Sequence, residues 1–261
     1  MSNKTYHRYV AIGDSTTEGI DDPDGNGSYR GWANRFAELI AQQQGGLLYA
    51  NLAVRGLRTR EILEGQLERA LGMKPDLSTV VSGTNDVLRS KFDPDTYARD
   101  IEYMQRALIA QGATVLTFTL PDLSRVNPIA RMASSRIGIM NGLLRDVSQA
   151  TGAIVVDLAV HPVASDPRLW SVDRLHANAA GHTRIAAALA DAIQLPGSNN
   201  QWSEPLAAIT GASALAKAAE HFVWSRAYLW PWIKRRVRGQ SSGDGIRCKR
   251  PALAPVLPVS Q

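Results

Sequence analysis

The chain has 261 residues, 44% hydrophobic and 20% charged, which suits one α/β domain of ordinary globular composition plus a modest extension. Its one cysteine, Cys248, excludes an intrachain disulfide and fits a reducing compartment. The formal net charge of +5 is lopsided: residues 197–261 hold nine cations against three carboxylates, a net +6, and leave −1 for residues 1–196. The basicity therefore argues nothing about a ligand of the main body.

Met1–His7 contains no apolar run of the roughly 7–15 residues that a secretory leader uses. No stretch approaches the ~20 apolar residues that cross a bilayer. A soluble, cytoplasmic main body is expected. A first strand is predicted over Arg8–Ile12, followed at once by Gly13-Asp14-Ser15. A helix over Gly31–Gln44 ends at Gly45-Gly46, where a left-handed cap is wanted. A second strand, Leu47–Asn51, leads into a loop carrying Gly56, and a helix follows over Thr59–Leu71. The third strand, Leu77–Ser82, runs into Gly83-Thr84-Asn85-Asp86. In the next helix, Pro94–Gln111, the apolar residues Ile101, Met104 and Leu108 return at three and four and define one buried face. Strands over Thr114–Thr119 and Ile154–Leu158 flank a helix over Ala133–Ala150. The motif Asp173-Arg174-Leu175-His176 then precedes a last helix over Ala179–Ile193.

Such alternation predicts a mostly parallel sheet covered by helices on both faces. Ligands of such sheets bind at the carboxyl ends of the strands. The Ser15 turn, the Gly56 loop and the Gly83–Asp86 turn should therefore meet on one rim. The domain is expected to close at residue 196, with Leu195–Gln201 as a linker. Residues 197–261 form an extension: an alanine-rich, apolar stretch over Pro205–Val237 with Trp224, Trp230 and Trp232, then an irregular Gly-, Ser- and Pro-rich end over Gly239–Gln261.

Ser15 at a strand-to-helix turn is a candidate nucleophile, and backbone N–H groups of the turn can face a developing negative charge. Its plain alternative is a helix cap. His176 is the candidate general base, and Asp173 three residues earlier can orient and charge-stabilise the imidazole. The alternative there is a capping Asp beside a surface His. His182 is the nearest competitor, while His7, His161 and His221 read as structural or solvated. Gly56 and Asn85 are candidate oxyanion donors, one through an unhindered N–H and the other through an amide; as alternatives, each is an ordinary turn residue. No ligand cluster suggests a metal, and no P-loop or GxGxxG suggests a nucleotide, so no cofactor is expected.

These four patches, in this order over residues 8–193, resemble the SGNH hydrolases, also called GDSL esterases and lipases. The run Ala177–His182 resembles the family's usual continuation, whereas Thr16 stands where the name motif has leucine. The resemblance implies a flavodoxin-like three-layer α/β/α sandwich. It also implies Ser15 as nucleophile, Asp173 and His176 as the rest of a triad, and Ser15, Gly56 and Asn85 as the oxyanion hole. The expected activity is hydrolysis of carboxylic esters with short acyl groups through an acyl-Ser15 intermediate, since no lid or long apolar substrate segment is evident. A carbohydrate O-deacetylase or an acyltransferase with the same triad is the alternative, and a non-catalytic scaffold is disfavoured. The extension lies outside the resemblance and is expected to be dispensable for chemistry. Its residues 202–238 suit a peripheral membrane or self-association contact, with a lean to protein packing; nucleic acid is not expected.

Overall fold

The computed structural model describes residues 4–89, 91–124, 127–208, 226–227, 230 and 242–256. Its centre is a sheet of strands β1 (Arg8–Gly13), β2 (Leu47–Asn51), β3 (Leu77–Val81), β4 (Thr114–Phe118), β5 (Ile154–Val156) and β6 (Arg250–Val256). They lie in the order β5-β4-β3-β1-β2-β6. The first five are parallel, with Tyr9 opposite both Tyr49 of β2 and Leu77 of β3. This is the flavodoxin-like order 2-1-3-4-5, whose direction reverses between β1 and β3. The crevice that the reversal opens lies beside the ends of those two strands.

Helices α1 (Ser15–Glu18), α2 (Gly31–Gln44), α3 (Thr59–Gly72), α4 (Thr84–Val87), α5 (Pro94–Ala110), α6 (Pro128–Thr151) and α7 (Ala179–Ala192) fill the connections. Side chains alternate faces along a strand, so β1 feeds both layers. Tyr9 and Ala11 pack with Trp32, Phe36 and Ile40 of α2 and Leu189 of α7. Val10 and Ile12 pack instead with Ile62 of α3, with Ile101, Met104 and Leu108 of α5, and with Leu144 of α6. The predicted stripe of α5 is thus its buried face. The expected α/β/α sandwich is the observed architecture.

Some boundaries differ. Helix α6 starts at Pro128, five residues before Ala133, because proline fits a first helical turn and the Asn127 side chain accepts from Ala130 N at 3.4 Å. Strand β5 stops at Val156, and 3₁₀ turns take over from Leu158. The segment directly after the expected linker packs on α7: Trp202 Nε1 donates to Asp191 Oδ2 at 3.0 Å, and Arg184 donates to the carbonyls of Trp202 and Glu204.

The largest correction concerns the chain end. Within the stretch read as irregular, Arg250–Val256 is β6, antiparallel to β2, with Leu47 opposite Val256 and Asn51 opposite Arg250. Pro251 and Pro255 obscure it in the sequence, yet an edge strand tolerates proline because one of its sides makes no ladder bonds. Of the tryptophan-bearing stretch beyond Ala208, only Arg226, Ala227 and Trp230 are described; Trp224, Trp232 and the Lys234–Arg236 cluster lie outside the described residues. Among the described residues, no helix is long and apolar enough to cross a membrane.

Candidate active site

Strand β1 delivers Ser15 through a turn that its neighbours leave little freedom. A Cβ on Gly13 would lie 2.3 Å from Thr17 Oγ1 and 2.5 Å from the Val81 carbonyl, so only glycine lets the turn press against β3. The buried Gln66 amide grips the same residue from the other side, accepting from Gly13 N at 2.8 Å and donating to Gly13 O at 2.9 Å. Asp14 then caps α1, its Oδ1 accepting from Thr16 N at 3.0 Å. Ser15 is the first residue of that helix, and its N–H falls outside the helical ladder.

His176 arrives from the loop before α7. Its Nε2 is 2.8 Å from Ser15 Oγ, and its Nδ1 is 2.6 Å from Asp173 Oδ2. A carboxylate only accepts, so Nδ1 carries the proton and Nε2 is left to receive the one on Ser15. The three-residue spacing works because the backbone folds over Asp173: Oδ1 accepts from Leu175 N at 2.9 Å and His176 N at 3.0 Å, and Arg174 sits at φ 59°. Ser171 N donates to His176 O at 2.8 Å and closes the loop.

Burial alone would lower the His176 pKa, but the hydrogen bond and charge of Asp173, aided by Asp21 and Asp14, raise it above 6.5. Burial likewise pushes Asp173 up, and its bond to His176 outweighs this and holds it well below the usual carboxylate range. Asp14 is fully buried and is pushed up by that burial to about 6, against the pull of its bonds from Thr16.

Two members of the site carry no sequence signal. Ser171 Oγ lies 2.5 Å from Asp21 Oδ2 and 2.6 Å from Asp173 Oδ1, bridging the two carboxylates. Asp21 Oδ2 is itself 4.0 Å from His176 Nδ1, and Asp21 holds a left-handed φ of 67°. Ligand atoms of Asp21, Asp173 and His176 lie within 4.8 Å of one another, a spacing that a cation could bridge. Nδ1 and Asp173 already satisfy each other, so a cation there would compete with the bond that orients the imidazole.

The oxyanion candidates come from the neighbouring loops. Gly56 lies past β2 at φ 79°. Asn85 stands in α4, directly after β3, and its Nδ2 donates to Leu57 O at 3.0 Å and, more weakly, to Asp14 Oδ2 at 3.4 Å. The amide thus joins all three rim loops. Asp86 supports the loop, accepting from Thr59 N and Oγ1 at 3.0 Å each.

The competitors lie elsewhere. His182 is buried, receives Trp32 N on Nδ1 and faces Ile20 O with Nε2, both at 3.1 Å; burial lowers its pKa to about 4. Asp157, just past the end of β5, is taken by Arg145 and by Thr119 Oγ1. His161 packs on Trp202, and His221 lies outside the described residues. A small cavity of about 80 Å³ has His176 in its wall, together with Thr16, Leu120, Leu123, Trp170 and Leu175.

A hydroxyl, an imidazole and a carboxylate in one hydrogen-bonded line, on the rim of a doubly wound sheet, define a serine hydrolase. Residues 11–184 match the GDSL-like Lipase/Acylhydrolase family, and the chain belongs to it: it is a serine ester hydrolase of that family. No curated protein matches the chain by sequence. Among solved structures, a lipase/acylhydrolase from Enterococcus faecalis shares 22% identity at a TM-score of 0.59, over 77% of this chain and 100% of that one. An acetylxylan esterase from Geobacillus stearothermophilus shares 17% identity at a TM-score of 0.60, over 78% and 99%. An alpha/beta hydrolase from the metagenome of Lake Arreo shares 23% identity at a TM-score of 0.59, over 72% and 95%. At these identities the likeness is one of fold.

Proposed function

We propose that the protein hydrolyses carboxylic esters of short, apolar acyl groups through an acyl intermediate on Ser15. The observation that carries this reading is the unbroken line Ser15 Oγ–His176 Nε2–His176 Nδ1–Asp173 Oδ2. Ser15 attacks the carbonyl carbon while its proton passes to Nε2. The imidazolium so formed is stabilised by Asp173 and returns the proton to the leaving alkoxide. Water then repeats the sequence against the acyl-enzyme with the same base.

The oxygen that becomes negative is received by the N–H groups of Ser15 and Gly56 and by the Asn85 amide. Asn85 suits the role because Leu57 O orients it while its contact with Asp14 is long enough to yield to an oxyanion. The small apolar cavity beside His176 favours a short hydrocarbon acyl group there.

p-Nitrophenyl esters of graded chain length test this with wild type and Ser15→Ala. Turnover should be highest for short chains and vanish in Ser15→Ala. A preference for long chains would refute the acyl assignment, and transfer to a sugar acceptor in place of water would make the protein an acyltransferase.

A further inference from the structure

The family match ends at residue 184, yet a much later segment returns to the rim that carries the site. The ladder between β2 and β6 breaks its register between Tyr49 and Asn51, and Arg250 lies opposite Asn51 at the carboxyl end of β2. Irregularities of this kind bend a strand and re-aim what precedes or follows it. Residues 242–249 thus lie past the strand end, level with the Gly56 loop.

Two contacts there exceed what covering a sheet edge requires. Gly243 presses on Arg55, the residue directly before Gly56: a Cβ on Gly243 would stand 2.1 Å from the Arg55 carbonyl and 3.3 Å from Val54 Cγ1. Lys249 reaches inward, its Nζ donating to Tyr29 O at 2.7 Å and to Arg30 O at 2.9 Å. Tyr29 in turn lies under the Arg55 guanidinium, 5.2 Å from its ring centroid. Arg55 is gripped from a third side by Glu18, the last residue of the helix that Ser15 begins; Arg55 N donates to Glu18 Oε2 at 2.8 Å and the guanidinium pairs with the same carboxylate. The loop that presents Gly56 is therefore enclosed by Glu18, by the Tyr29 ring and by Gly243.

We propose that Gly243–Arg250 is a strap that positions the Arg55–Gly56 loop for catalysis, with Gly243 and Lys249 as its positioning residues. The proposal rests on Gly56 N–H serving as an oxyanion donor. It makes part of the extension necessary for full activity although it touches no reacting atom. An added methyl at Gly243 must push the Arg55 carbonyl or the strap away, and either movement swings the next N–H, that of Gly56. Removing the Lys249 ammonium releases Tyr29 and Arg30, and with them the stack on Arg55.

The test is kcat per active site in the full-length chain, with sites counted by end-point labelling with a fluorophosphonate and the modified peptide identified by mass spectrometry. Gly243→Ala and Lys249→Met should each lower kcat per labelled Ser15 by about 10-fold or more with KM little changed, since a misplacement near 1 Å costs about 10² and loss of a whole donor about 10²–10³. A merely structural role would lower the number of sites that label and leave kcat per site intact. Should Gly243→Ala fail to fold, Lys249→Met decides alone. Wild-type kcat per site in every variant that folds would overturn the strap. Absence of label on Ser15 in wild type would overturn the serine reading and the strap with it, a result distinguishable from failure of the strap alone.

Discussion

In the proposed mechanism, His176 and Asp173 divide one task. Replacing His176 with Ala removes the proton acceptor, and the loss in kcat should approach the ~10⁶ seen when a member of a comparable triad is removed. Asp173→Asn should be milder, because Asp173 orients and stabilises the imidazole without taking its proton. The pH profile separates the two roles. His176 must be neutral to act, and its pKa is raised above 6.5, so the acid limb of kcat/KM should fall above pH 6.5 in wild type. Asp173→Asn removes the charge responsible, and the limb should move to lower pH; an unmoved limb would show that another group titrates there. Asn85→Ala should cost about 10²–10³ in kcat. A change confined to KM would make Asn85 a substrate-binding group.

Asp173 and His176 were legible because their contact is local, three residues apart in one turn. Asp21 and Ser171 were not, because they meet across 150 positions and neither sits in a recognisable pattern. Only the tertiary path of the chain brings them to the same imidazole.

At the scale of elements, His182 ties the first turn of α7 to the start of α2 and to Ile20. Its imidazole is neutral in the fold, with a pKa near 4 against about 6.5 when unfolded. Between those values the unfolded chain binds the extra proton, so this contribution is complete above pH 6.5 and is lost as pH falls toward 4. The loss is roughly 3 kcal/mol, taking 1.36 kcal/mol per pKa unit. Thermal unfolding from pH 7 to pH 4 should show a declining Tm whose slope flattens in His182→Gln; equal slopes would place the acid sensitivity elsewhere.

The longer strands and helices of residues 8–193 are readable because each follows one period and ends at a turn residue, whereas α1, α4 and the 3₁₀ turns are too short to show one. Helix α2 coincides with its expected span, Gly31–Gln44, and β2 with Leu47–Asn51. Strand β6 was hidden because its stability comes from the edge it finds rather than from its own pattern. Four of its seven residues are Pro or Ala, in a run that no local rule marks as a strand.

For the whole molecule, β6 converts β2 from an exposed edge into an inner strand, which removes an unpaired ladder next to the catalytic rim. Composition, which changes near residue 196, reports solvation and periodicity and not which distant strand a segment will join, so the pairing of β6 with β2 is visible only in the fold. The rim itself follows from topology: β1 and β3 are adjacent at the reversal of strand order, so Ser15 and Asn85 leave the sheet side by side. In the proposed mechanism this rim carries an acyl group on Ser15 during turnover. Rapid acid quench of wild type with a short-chain p-nitrophenyl ester, followed by peptide mass spectrometry, measures that directly. An acyl mass increment should appear on the peptide containing Ser15 and be absent in Ser15→Ala together with turnover. Turnover that persists in Ser15→Ala, or an acyl group on another side chain of wild type, would contradict the proposed mechanism.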